Sequence, residues 1–142
     1  MDYRSSVRSC IRSQWQVEWN EEINNKLHLI KPYLGEWASA RHQERFYEVI
    51  LCRLRIGHTH LTHGYLLRGE DAPLCEQGDK PLSVLHFLVA CPSYENKRRS
   101  HFAQLYREHV PLHPVLLLGD EPCVPYKEVF KFLEDISLPH RL

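Results

Sequence analysis

Apolar residues recur along the first thirty positions with the period of a helix. Val7, Ile11, Trp15, Trp19, Ile23, Leu27 and Ile30 are separated by steps of four and three, which stacks them on one helical face. The pattern predicts an amphipathic helix from Ser5 to Ile30, ended by Pro32. Asn20, followed by Glu21 and Glu22, has the form of a second N-cap with acids in its first turn, so a break near Trp19 is expected. A second helix is predicted from Ala40 to Ile56, with Phe46, Val49, Ile50 and Leu54 facing inward and Gly57 as C-cap. Pro81-Leu82-Ser83 opens a third, with Ser83 as N-cap and Leu85, Leu88 and Val89 on its apolar face. A fourth spans Ser93 to His109 around Phe102, Leu105 and Tyr106. Val115 to Leu118 is too short for periodicity to separate a strand from a helical turn. The last helix starts at Pro125, places Val129, Phe132, Leu133 and Ile136 on one face, and is closed by Pro139.

These elements predict an all-α fold: a single compact domain, 1–142, of five or six helices with the Cys75 loop packed on the His86 helix and almost no strand. A length of 142 residues and 43% hydrophobic content suit one modest core. Charge narrows the functional classes. Lys plus Arg and Asp plus Glu are 18 each, so no global field draws the chain onto nucleic acid, and any such contact must be local. Five cysteines, an odd number, come without an apolar leader or an 18-residue apolar run. The expectation is a reduced, intracellular protein of cytoplasm or nucleus, neither secreted nor membrane-spanning.

The candidate chemistry is concentrated between Arg53 and Arg99. His86 and Cys91 form a His-x4-Cys pair, and Cys75 lies upstream. Thiolates and imidazole at short spacing are the donor set of a tetrahedral zinc site. A structural site has four donors, and the place for a partner three residues after Cys75 is Gly78, so the motif is one ligand short. The bland reading of these residues is a half-buried histidine and a small buried hydrophobe. His58, His60 and His63 lie within six residues on a turn or helix leading into Tyr65, and read either as a metal cluster or as hydrogen-bonding residues.

The run Arg-Leu-Arg-Ile-Gly-His-Thr-His-Leu-Thr-His-Gly-Tyr-Leu-Leu from 53 to 67, followed by Cys75, His86, Cys91-Pro92 and Tyr94, resembles one family. It is similar to the C-terminal tail of jockey-type non-LTR retrotransposon polyproteins, downstream of the reverse transcriptase and RNase H domains. That tail carries Cys-x2-Cys-x7-His-x4-Cys, described as a zinc-binding region. Cys75, His86 and Cys91 fall on three of its four positions, with Gly78 substituting for the fourth. Trp15 and Trp19, Asn25-Lys26-Leu27 and Phe130 to Leu133 extend the likeness over nearly the whole chain. The resemblance implies that residues 1–30 are a linker helix following a lost RNase H domain, 53–99 a degenerate zinc-like region and 100–142 the closing helices. It also implies one structural zinc on Cys75, His86 and Cys91, with His63 or Asp79 as the recruited fourth donor, and partners among RNA, DNA and the polyprotein's own domains.

Arg53, Arg55 and Arg68, with Lys97, Arg98 and Arg99, form the only candidate electropositive patch that stands out in the sequence. Helix-dipole complementation is the alternative for Arg53 and Arg55, and a solvated face for the Lys97 to Arg99 run. No enzyme is predicted. Glu18, Glu21 and Glu22 read as a solvated face rather than a magnesium cluster, and a pair such as Cys52 with His58 lacks the pocket a reactive thiol needs. Two functions follow as expectations: a non-catalytic module assisting nucleic-acid binding, or a helical interaction scaffold or relic binding neither metal nor nucleic acid.

Overall fold

The computed structural model describes residues 2–37, 44–75, 80–138 and 142. Its first helix, α1, runs Tyr3–Glu21 and starts at Asp2, whose carboxylate accepts the Arg4 N–H as an N-cap. The predicted continuation to Ile30 is not helical. The Asn25 side chain accepts the Leu27 N–H at 3.0 Å and the chain proceeds through tight turns, the local competition that asparagine offers to a helix. Asn20 therefore sits in the last turn of α1 and caps no second helix. The stripe is also not buried: no residue of α1 is, although Ile30 beyond it is.

The core is built by later elements. Helix α2, Arg45–Ile56, buries Ile50, Leu51 and Leu54, while Phe46, expected inside, stays 45% exposed. Gly57 closes α2 in the left-handed conformation (φ 74), donating to Arg53 O and Leu54 O, the C-cap only glycine adopts without cost. The predicted start at Ala40 lies outside the described residues. Helix α3, His60–Arg68, begins at a reciprocal cap in which the Thr59 and Thr62 side chains each take the other's backbone N–H.

A π turn, His86–Ala90, and a 3₁₀ turn, Pro92–Tyr94, lead into α4, Glu95–His101, and α5, Ala103–Arg107. The predicted Ser93–His109 helix is thus interrupted at Phe102 (φ −110, ψ 32), whose ring is buried on Phe132 at 5.1 Å between centroids. The undecided Val115–Leu118 run is helical. Helix α6 spans Pro114–Leu118, with proline at its first position and His113 Nδ1 accepting the Val115 N–H. Helix α7, Tyr126–Asp135, buries Val129, Phe130, Phe132 and Leu133. It packs on α4 and α6, and α6 packs on α2.

The fold is all-α, a compact single domain. With α4 and α5 taken as one interrupted helix, the described residues hold six α-helices. Extended pairing among them is limited to one bridge, Leu74 with Pro81. No helix among the described residues is long and apolar enough to cross a membrane.

Candidate metal centre

Three short elements converge on one point. Upstream, Cys75 N–H donates to Lys80 O at 2.9 Å and Leu82 N–H to Pro73 O at 2.8 Å, so residues 73–75 and 80–82 lie side by side and hold Cys75 in place. Gly78 and Asp79 lie outside the described residues. Ser83 then acts as the predicted N-cap, its hydroxyl accepting the His86 N–H at 3.1 Å.

The next turn decides the site. Residues five apart on a regular α-helix point about 140° away from each other, since each residue turns about 100°. A His-x4-Cys pair in such a helix would therefore diverge. Here Cys91 N–H bonds His86 O at 2.7 Å, an i→i+5 closure that widens the turn and returns residue 91 to the side of residue 86. The same closure withholds from Phe87 O the donor that an α-helix would give it. Arg98 supplies one. Its Nη1 reaches Phe87 O at 3.3 Å and its Nη2 bonds Cys91 O, while Glu95 balances its charge at 3.2 Å. Arg98 is 1% exposed. A fully buried guanidinium is retained only where acceptors and a counter-charge meet it, and its acceptors here are the carbonyls of the donor-bearing turn.

The outcome is a tight donor set. One atom each from Cys75, His86 and Cys91 lie within 4.8 Å of one another, close enough to hold a metal ion. The Cys75 and Cys91 sulfurs are 3.7 Å apart. A disulfide would need about 2.05 Å, whereas two thiolates on one tetrahedral zinc at about 2.3 Å each are separated by about 3.8 Å. His86 Nε2 is buried with no hydrogen-bond partner, an arrangement that costs free energy unless something coordinates that nitrogen. Burial, followed by the charges of Lys80 and Arg98, lowers the His86 pKa. For Cys91 burial acts upward, but the Ser93 N–H and hydroxyl, the Cys75 thiol and the Tyr94 N–H outweigh it and the pKa is lowered. Neutral imidazole and thiolate are the forms a soft cation takes.

Of the two residues expected to lend a fourth donor, only His63 lies among the described residues. His63 is not part of the group: its ring stacks on His58 at 3.8 Å and its Nδ1 is bonded to Thr62 Oγ1 at 2.7 Å. Asp79 is outside the described residues, so the fourth position has no assigned protein donor.

Folding divides the cations expected to form an electropositive patch into buried and exposed groups. Arg55 is buried, donating to Leu118 O at 2.8 Å and Tyr126 Oη at 2.7 Å with Trp37 stacked on it at 3.9 Å. It ties α2 to the C-terminus of α6. Arg98 is buried in the centre just described. Arg53 is exposed but donates to the Leu142 oxygen at 2.8 Å. Arg68 pairs with Glu70, Lys97 with Asp135 and Arg99 with Glu95. Sequence reasoning missed Arg98 as a support of the metal centre. Its only sequence signal is a cation one helical turn after the Glu95 that neutralises it.

Comparison with protein-family models, with curated proteins and with solved structures finds no match to this chain.

Proposed function

We propose that this domain is a non-catalytic, metal-stabilised helical module that holds one structural zinc through Cys75, His86 and Cys91. The observation that carries the reading is the convergence of two thiols, 3.7 Å apart, with an imidazole whose buried Nε2 has no other partner. The centre joins Cys75 to the His86–Cys91 turn, so metal would add stability by cross-linking these two segments. The resemblance to the zinc-binding tail of jockey-type reverse transcriptase polyproteins supports the same donor set and suggests what the module serves: contact with template RNA or target DNA beside a polymerase. With three protein donors the ion is held more weakly than in a four-donor finger, and folding depends less on metal than in such a finger.

The test is metal content after purification without chelator. Zinc near one equivalent is expected, lost in Cys91→Ser and His86→Gln. Absence of zinc uptake by the native chain, or uptake unchanged in both variants, overturns the reading. A helical interaction scaffold is the second reading, favoured by the neutralisation of Arg68, Lys97 and Arg99 by neighbouring acids. Binding to nucleic acid that falls steeply with salt separates the two.

A further inference from the structure

One row of cations that folding leaves without an ion pair is on α1, while Lys26, Arg53, Lys80, Arg107 and Lys127 are unpaired elsewhere among the described residues. Arg4, Arg8 and Arg12 are exposed and stand four residues apart, about 6 Å per step along the helix. Among the described residues none of them is in an ion pair, while Lys31, Arg45, Arg68, Lys97, Arg98, Arg99 and Lys131 all are. Asp2, the nearest acid in sequence, accepts the Arg4 backbone N–H with its carboxylate.

Beside this row lies a groove of about 410 Å³, walled by Arg8, Ile11, Arg12 and Trp15 on one side and Leu34, Gly35 and Glu36 on the other. The far wall is held in place by α1 itself. Gln16 Nε2 donates to Pro32 O at 2.8 Å, Gln16 Oε1 accepts the Leu34 N–H at 2.7 Å, and Trp19 Nε1 donates to Lys31 O at 2.8 Å. The groove is therefore preformed. Trp15 is 61% exposed, and Gly35 opposite has nothing within 4 Å of where a Cβ would stand. Most of the Trp15 side chain is thus accessible from solvent.

We infer that this groove binds single-stranded nucleic acid, its phosphates along Arg4, Arg8 and Arg12 and a base stacked on Trp15. An electropositive track with an exposed aromatic is the arrangement that binds single strands without sequence preference. A docking protein helix fits less well. The groove offers two guanidiniums and one indole but only Ile11 and Leu34 as aliphatic contacts, and Glu18 and Glu22 interrupt the apolar stripe beyond Trp15. Glu36 repels phosphate from its side and so biases the backbone toward the arginines. The inference rests on the nucleic-acid part of the function proposed above and moves the contact from the Arg53 and Lys97 to Arg99 regions to α1.

The experiment titrates the full chain with labelled ten-nucleotide oligo(dT) and oligo(U). Binding is expected with a log–log salt slope of about −2, from three neutralised phosphates at about 0.7 each. Replacing Arg4, Arg8 and Arg12 together by Ala should bring the slope close to zero. Trp15→Ala should weaken binding about five- to hundredfold, and Trp15→Phe should restore most of it. Because α1 buries no residue, far-ultraviolet circular dichroism should show each variant folded. An undiminished slope in the triple variant overturns this site while leaving nucleic-acid binding on another face. Failure of the native chain to bind either oligonucleotide overturns both. Displacement by poly-Glu together with indifference to Trp15→Ala identifies a general polyanion or acidic-protein surface, and also overturns it.

Discussion

Helices α1 and α7 carry the same kind of apolar stripe and end in opposite situations. In α7 the stripe of Val129, Phe132 and Leu133 is sealed against α4 and α6. In α1 the stripe of Val7, Ile11 and Trp15 remains 39–61% exposed. Periodicity reports that a face is apolar, not that the fold supplies something to cover it. The difference comes from what surrounds each helix. Flanking α7 are two elements that turn back onto it, whereas α1 is followed by turns that touch it mainly through the polar Gln16 and Trp19 bonds. One helix holds the domain together and the other presents a surface.

The sharpest break in that contrast is a pair of truncations. Phe132→Ala removes a fully buried ring packed on Phe102 and should cost about 3–5 kcal/mol. Trp15→Ala should stay within about 0.5 kcal/mol of the native chain. Denaturant unfolding of both checks this, and a large loss from Trp15→Ala would mean that the α1 face is covered in solution.

Next in size is Arg98→Met. It takes from Phe87 O the donor that stands in for the one the π closure withheld, leaves Cys91 O with only the Tyr94 N–H, and should destabilise by about 1–3 kcal/mol. Zinc affinity should fall with it, because the π turn that aligns His86 with Cys91 loses its support. Arg99→Met, one residue on and exposed, should leave both quantities unchanged. Isothermal titration with zinc and thermal melts, run side by side, measure the two effects.

Gly78→Cys addresses the metal link. A fourth thiolate should tighten zinc binding at least about tenfold, equivalent to about 1.4 kcal/mol, and raise the melting temperature only when zinc is present. A zinc-induced rise in melting temperature no larger than the native chain's would show that position 78 does not reach the ion.

The smallest effect is electrostatic. The Asp135 carboxyl is held below its ordinary pKa first by a hydrogen bond from His101, at 3.0 Å, and then by Lys97 at 3.1 Å. A carboxylate with a depressed folded pKa stabilises the fold above the ordinary carboxylate pKa, and loses that contribution as pH falls through the lowered value. Melting temperature should therefore drop on acidification through and below the usual carboxylate range, with a shallower drop in Asp135→Asn. Being exposed, the pair contributes little in absolute terms.

Much of this protein is legible in its sequence. The periodicity predicts the all-α class, the helical start of α1, the Gly57 stop and the α7 face, because each depends on residues a few positions apart whose geometry is local. Ser83 as N-cap, and Cys75, His86 and Cys91 as a donor set, are legible for the same reason: caps and ligand spacings are short-range patterns. Other features are invisible there because they depend on where distant segments meet. Whether an arginine is a surface cation or a buried support turns on the carbonyls brought to it, and nothing local distinguishes Arg98 from Arg99 or Arg55 from Arg53. The π closure at Cys91 is equally hidden, since the orphaned Phe87 carbonyl is tolerable only with a guanidinium arriving from the following helix. Spacing along the chain thus chose the donors and the helices. Tertiary packing alone decided which cations were buried, which apolar stripe stayed open, and that a five-residue step would bring a histidine and a cysteine to the same side of one turn.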